Sequence, residues 1–404
     1  MSTFTQSISD SLWCFDDDNP EDALAFLNNP ENFRSFSQGL TELMRKCSRD
    51  VPDNIDQKAA FLCAKLKAIG VSKTQNAIKE WFQDTHRPGF ASNSRTMMFQ
   101  VCFALHASYE NVKWFFQHVY FDRCFNCHTI KEAVYYYCFA NGLGYEHAGK
   151  LLQTIDSFPA AERSDETGIL VTREIRSRLD NCSSDQALLN FLKKNKGMFR
   201  QWNTTASEAI RRYLAEIRGN KDDYKYKELI IKGKDVSPKD LCKCSLIIQE
   251  LLTYKDRESL DTISGKTITS IDFMLDCIFD TPHRVHKDAL IPDIVRKNFP
   301  SKMVFSDILH KIDTLTCYDS IRKCLILLKF YSFWCPIHAK QLKKLGIDGT
   351  AYDVYREETD HLLTCCGYET LFAGNPYDWL FLRSSITEDP LDFFREVLNL
   401  AIFP

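Results

Sequence analysis

The chain has 404 residues, 44% hydrophobic and 26% charged, with a formal net charge of −3 and a pI near 6.4. Near-balanced charge gives no global pull toward polyanions, so any nucleic-acid binding rests on a local basic patch; the length exceeds one ordinary core and predicts two or three domains. Sixteen cysteines follow a start that is polar and then acidic, without the basic and apolar regions of an export signal, so they read as reduced thiols packed as small hydrophobes in a cytoplasmic protein.

Residues 1–50 are expected to form an acidic start and then a helix over 35–46, on which Leu40, Leu43 and Met44 keep helical spacing, together an N-terminal cap. A first module, 51–155, opens with a helix carrying Ala60, Phe61, Ala64, Leu66 and Ala68. It continues through Ile69-Gly70-Val71 and enters a second helix with Ser72 as its N-cap. In that helix Thr74, Ala77, Ile78 and Trp81 recur at i, i+3, i+4 and i+7, which makes one apolar stripe.

The same module contains a short unit written twice. Cys102-Phe103-Ala104 with Tyr109-Glu110 returns 36 residues later as Cys138-Phe139-Ala140 with Tyr145-Glu146, which reads as a duplicated helical element. The aromatic run Tyr135-Tyr136-Tyr137 is the place where a strand competes most strongly with helix.

A polar stretch over 156–168 separates this module from a middle helical domain, 169–284, with helices expected around 169–179, 186–194 and 206–217. Its Lys193, Lys194, Lys196, Arg200, Arg211, Arg212 and Arg218, interleaved with Phe199, Trp202 and Tyr213, form the densest basic region of the chain. Residues 285–404 return to the plan of the first module. Arg322 and the apolar run after it lie over Arg95 and its run at an offset of 227, while Leu362-Leu363 and Leu380-Phe381-Leu382 lie over Phe115-Phe116 and Ala133-Val134-Tyr135 at 247. Residues 291–310 read as a degenerate copy of the helix–turn–helix segment. The expected fold is therefore all-α and multi-helical, two related modules flanking a middle helical domain.

Gly70-Val71-Ser72 between two amphipathic helices resembles the turn of the helix-turn-helix in bacterial Xre-type and phage-repressor regulators. Asn76 stands where that family places an apolar residue, and the stripe slips to Ala77. The resemblance implies a DNA-binding regulator, or a DNA-associated defence component, of a bacterial cell. It makes the helix after Ser72 the reader, with Lys73, Asn76, Lys79 and Arg87 as contacts; Arg211 and Arg212 of the basic region are the competing contacts. A protein-interaction scaffold that has kept the shape without its DNA role, resting on surface aromatics and near-neutral charge, is the alternative, with a protein partner or a second copy as its ligand. An unrecognised nuclease or nucleotide-dependent enzyme is a third.

Catalytic and metal-binding patterns are weaker. Cys124-Phe125-Asn126-Cys127-His128 matches the haem-attachment spacing, but attachment normally follows export, and the equivalent C-terminal stretch lacks the cysteines. Cys242, Cys244, Cys365 and Cys366 have the wrong spacing for a zinc knuckle. Asp276, Asp280, His283 and His286 surround a helix end at Pro282, and Gly265-Lys266-Thr267 lacks the upstream glycine of a phosphate loop. No catalytic residue, cofactor or metal is assigned. The most apolar run, 325–334, is broken by Lys329 and is too short to span a bilayer.

Overall fold

Many of the described helices start where a side chain takes over a backbone N–H that has no partner in the first turn. In the computed structural model, Asn19, Asn54, Thr74, Ser108, Thr129, Ser184 and Asn375 all accept such a bond, and Ser35 with Gln38 forms a capping box. The structure describes residues 9–15, 18–29, 31–89, 92–125, 127, 129–158, 172–196, 199, 204–218, 318–341 and 350–402. Among these, every regular element is a helix, so the fold is all-α. The readings at Cys242, Cys244, Gly265, 276–286 and 291–310 lie outside the described residues.

The helices are α1 Pro20–Asn28, α2 Phe36–Cys47, α3 Ile55–Ala68, α4 Gln75–Phe82, α5 Ser92–Ala104 and α6 Tyr109–Phe115, which runs into a π turn at Phe116–Tyr120. They continue as α7 Ile130–Ala140, α8 Tyr145–Asp156, α9 Thr172–Asp180, α10 Asp185–Lys194, α11 Thr204–Arg218, α12 Tyr318–Gln341, α13 Thr350–Cys365, α14 Pro376–Ser384 and α15 Pro390–Ile402. Tyr135, Tyr136 and Tyr137 lie on α7 and are buried, so the strand alternative fails at this run.

Two hydrophobic cores organise these helices, and neither follows the boundaries expected from sequence. The first runs from Phe36 to Phe199 and takes in α9 and α10. The hydroxyls of Tyr136 and Tyr137 bond to Asp180 and Asp185, which fastens those two helices to α7. The second core unites α12–α15 with α11 and with Leu12, Ala23, Leu27 and Phe33. The described part of the expected middle domain is thus divided between the cores, and so is the expected cap over 1–50. Phe26 stacks on Trp379 at 4.6 Å, and Asp18 accepts from Arg383 at 3.2 Å and from the Glu388 N–H at 2.9 Å. The start of the chain is built into the body made by its end.

A matching buried arginine clamp appears in both cores. Buried Arg95 on α5 bonds to Asp122 (2.6 Å), to Glu132 through two nitrogens (2.7 and 2.8 Å) and to the Cys124 carbonyl (3.0 Å). Buried Arg322 on α12 grips Asp378 through two nitrogens (2.7 and 2.6 Å) and takes the carbonyls of Glu369 (3.3 Å) and Thr370 (3.0 Å). Glu132 and Asp378 are both the third residue of their helices, after Thr129 and Asn375 as N-caps. Phe121 and Gly367 are both left-handed, at φ 59° and 74°. These pairs are 246 residues apart, one fewer than the offset read from the apolar residues, because Leu380, Phe381 and Leu382 offer three adjacent hydrophobes that fit either register.

Candidate functional site

The turn between α3 and α4 is closed by Gly70 at φ 76°, with Val71 N–H donating to the Leu66 carbonyl and Gly70 N–H to that of Lys67, both at 3.0 Å. A Cβ on Gly70 meets no atom within 4 Å, so the backbone angle alone requires glycine here. The chain then passes without regular structure through Ser72 and Lys73 to extended Thr74, whose hydroxyl accepts from the Ala77 N–H at 3.4 Å. The cap is therefore Thr74 rather than Ser72, and Lys73 precedes the helix. Thr74 spends its side chain on capping and is exposed, so the buried face of α4 is Ile78, Trp81 and Phe82, with Ala77 at its margin.

On α3 the core face is Ala59, Leu62 and Leu66. Ala60, Ala64 and Ala68, expected on the stripe, are exposed; alanine tolerates either face, and the leucines fix which one turns inward. The helix α4 is held against α2 by Ser37, whose N–H donates to Asp84 (3.0 Å) and whose hydroxyl donates to the Phe82 carbonyl (2.8 Å).

The six candidate contacts fall in three places. Asn76 is exposed on the outer face of α4 beside exposed Gln75 and Glu80. Lys79 pairs with Asp56 in the first turn of α3 at 2.6 Å, and the ammonium of Lys73 lies 5.3 Å from the Trp81 ring centre. Arg87 is committed elsewhere: it donates to the carbonyls of Val119 (3.4 Å) and Tyr120 (2.9 Å) and lies over the Phe121 ring. It closes the π turn, where carbonyls end without helical partners. Arg211 and Arg212 are exposed on α11, a helix of the other core, and Arg212 lies 4.9 Å over the Tyr213 ring. In the same basic region Lys196 caps the end of α8 through the carbonyls of Ile155 (3.3 Å) and Phe158 (2.9 Å).

Cys124 and Cys127 are buried in the first core. Burial pushes the Cys124 thiol well above its ordinary pKa and that of Cys127 up to about 11, although Arg176 beside them pulls the other way. Both therefore stay protonated in the folded chain. His128 lies outside the described residues.

Sequence reasoning missed a groove of about 820 Å³ between α11, α12 and α13. Glu208 and Arg212 line it from α11, Lys329 from α12, and Glu357, His361 and Cys365 from successive turns of one face of α13. Lys329, the charge that interrupts the apolar run, pairs there with Glu358 at 2.6 Å. Only the spacing of Glu357, His361 and Cys365 at i, i+4 and i+8 signalled this face in advance. No helix among the described residues is long and apolar enough to cross a membrane. No protein family, curated protein or solved structure matches this chain.

Proposed function

We propose that the chain is a non-catalytic DNA-binding protein, a regulator or DNA-associated component acting in the cytoplasm, and that α4 meets the duplex. The observation that carries this reading is the division of labour on α3–turn–α4. Ile78, Trp81 and Phe82 hold the helix to the core, while Gln75 and Asn76 face outward from its first turn, the end of a reading helix that reaches base edges, and half-buried Lys79 follows in its last turn. Lys73 and Lys79 supply the phosphate-facing charge. The Lys79–Asp56 pair is half-exposed; such a pair contributes about 0–1 kcal/mol, so Lys79 can exchange it for a phosphate.

A mobility-shift titration across a salt series tests this. Phosphate contacts make affinity fall steeply with salt, and removing two of them lowers the slope of log K against log salt by about 2. Replacing Lys73 and Lys79 by Glu abolishes binding with helicity and melting nearly unchanged; binding carried by α11 responds instead to reversal of Arg211 and Arg212.

One observation favours a scaffold instead. Lys73, Lys79 and Arg87 each already have a partner in the chain, and Glu80 and Asp84 put negative charge on and beside α4. The surface aromatics expected to serve a scaffold are scarce: among the described residues the exposed large hydrophobics are Trp13, Ile55 and Val354. Absence of binding at low salt, or binding indifferent to both double reversals, decides for the scaffold.

A further inference from the structure

Among the eleven cysteines whose side chains the structure describes, two, Cys14 and Cys365, are exposed. Their surroundings differ. The Cys14 thiol donates to the Asp10 carbonyl at 3.2 Å, an acceptor that cannot carry a proton away. Cys365 lies 3.5 Å from Nε2 of His361, one turn back on α13, and both side chains line the groove between α11, α12 and α13. A thiol within hydrogen-bond reach of an imidazole has a general base at hand, the arrangement that activates cysteine nucleophiles. The neighbouring Cys366 is buried, and burial pushes its pKa up to about 12, so it does not compete.

We propose that Cys365 is a thiol–disulfide exchange site, with His361 as its base and small amphoteric disulfides as its substrates. The groove sets the substrate class. At about 820 Å³ it is of ligand size, and its walls carry both signs: Arg212 suits a carboxylate, and Glu208 and Glu357 suit an ammonium group. His361 Nε2 takes the thiol proton, and the Cys365 sulfur attacks the nearer sulfur of the incoming disulfide. The substrate's S–S bond breaks, a new S–S bond to Cys365 forms, and the departing thiolate recovers the proton from the imidazolium. The small disulfide is the oxidant, one small thiol is released, and the protein is left as a mixed disulfide.

The position gives the modification a route to the fold. Cys365 is the last residue of α13, and the next two carbonyls, of Cys366 and Gly367, receive Arg123 of the first core at 2.7 and 2.5 Å. A group added at Cys365 therefore sits at the seam between the two cores.

The test treats the full chain, freshly reduced, with oxidised glutathione, and maps each cysteine by peptide mass spectrometry over time. Cys365 is expected to gain glutathione at least about tenfold faster than Cys14, since both are exposed and only one has a base. His361→Gln removes most of that advantage while leaving the Cys14 rate unchanged, and Cys365→Ser removes the modification at its peptide. Equal rates at Cys365 and Cys14 overturn the proposal, as does a folded His361→Gln chain with undiminished reaction at Cys365. A second measurement needs no variant: wild-type chain reacts faster at Cys365 with oxidised glutathione, which carries both ammonium and carboxylate groups, than with disulfides of similar size that carry only ammonium or only carboxylate groups. Preference for either of those overturns the substrate class.

Discussion

Arg95 and Arg322 anchor matching clamp units in the two cores, each reaching the third residue of a later helix, yet they solve different charge problems. The first guanidinium bonds to two carboxylates, Asp122 and Glu132, and the second grips Asp378 through two nitrogens and takes two backbone carbonyls. Where the first unit has Asp122 the second has Tyr368, and where the first has Arg123 the second has Glu369. The substitution at these two positions joins the units. Arg123 leaves its own unit, lies 4.7 Å over the Tyr368 ring and donates to the carbonyls of Cys366 and Gly367. In the first unit the carbonyl matching that of Cys366 belongs to Tyr120, and Arg87 takes it. Two copies of one arrangement thus differ at the positions where they meet, and the arginine expected to touch DNA is the first copy's version of the connecting residue.

The largest effect expected from this comparison comes from removing each arginine. Breaking a buried ion pair by deleting one partner costs about 3–5 kcal/mol, because the other charge is left buried without compensation. Arg322→Met strands Asp378, and Arg95→Met strands both Asp122 and Glu132, so Arg95→Met is placed at or beyond the top of that range. Urea midpoints for both variants check the order. Adding Asp122→Asn and Glu132→Gln to Arg95→Met restores part of the loss, since neutral amides are cheaper to bury. If Arg322→Met proves the more damaging, the two-carboxylate account of the first unit is wrong.

The seam between the units also contains a titratable group. His118, on the π turn of the first unit, meets the Phe372 ring of the second edge-on at 4.4 Å. Burial, with Arg34 close by, lowers its pKa to about 4, against a weaker opposing bond to the Trp114 backbone and a small further push from Lys46. A histidine with a depressed folded pKa is neutral in the folded chain while the unfolded chain, near 6.5, takes up the proton first. Stability from this group is therefore complete above about pH 6.5 and declines as pH falls toward 4. The decline amounts to at most on the order of 1 kcal/mol per pH unit, and less here because the ring is only partly buried. Melting curves of wild type and His118→Gln between pH 7 and 4 should converge as pH falls. Parallel curves would remove His118 from the seam's energetics.

Much of this architecture was legible in the sequence, and what was not has definite physical causes. Capping residues and the three-to-four spacing of leucines located α2, α3 and α9–α11, and 322–382, aligned with 95–135, has helices as its regular elements where it is described. Core membership was not legible: a helix such as α9 or α11 announces an apolar face but not the surface that receives it. Tyr136, Asp180, Tyr137 and Asp185 decide that for α9 and α10, and hydroxyl-to-carboxylate pairs 44 and 48 residues apart leave no local pattern. The clamps escaped notice for a similar reason. Arg95 and Arg322 were aligned as the start of apolar runs, but a one-residue error in offset hid the match between Glu132 and Asp378. The DNA-facing candidates were chosen as charges left over from an apolar stripe, a rule blind to Arg87 turning inward to cap the π turn.

The smallest predicted effect concerns the shorter repeat inside the first unit, where one turn is built from two different residues. After α5 the His106 N–H bonds to the Phe103 carbonyl and the Ala107 N–H to that of Cys102. After α7, 36 residues on, the Gly142 N–H bonds to Phe139 and the Leu143 N–H to Cys138. His106 and Gly142 are both left-handed, at φ 52° and 67°. This conformation is open to glycine and costs other residues about 1–2 kcal/mol. His106 is exposed, and a Cβ at Gly142 meets nothing within 4 Å, so packing does not obscure either substitution. Gly142→Ala is expected to destabilise by about 1 kcal/mol through backbone strain. His106→Gly is expected to stabilise by about 0.5 kcal/mol, the relief of strain being partly offset by the greater freedom glycine gives the unfolded chain. Opposite shifts in the urea midpoint establish the two turns as one structure carrying different residues, and a loss of stability from His106→Gly means that the imidazole makes a contribution at this turn that the backbone account omits.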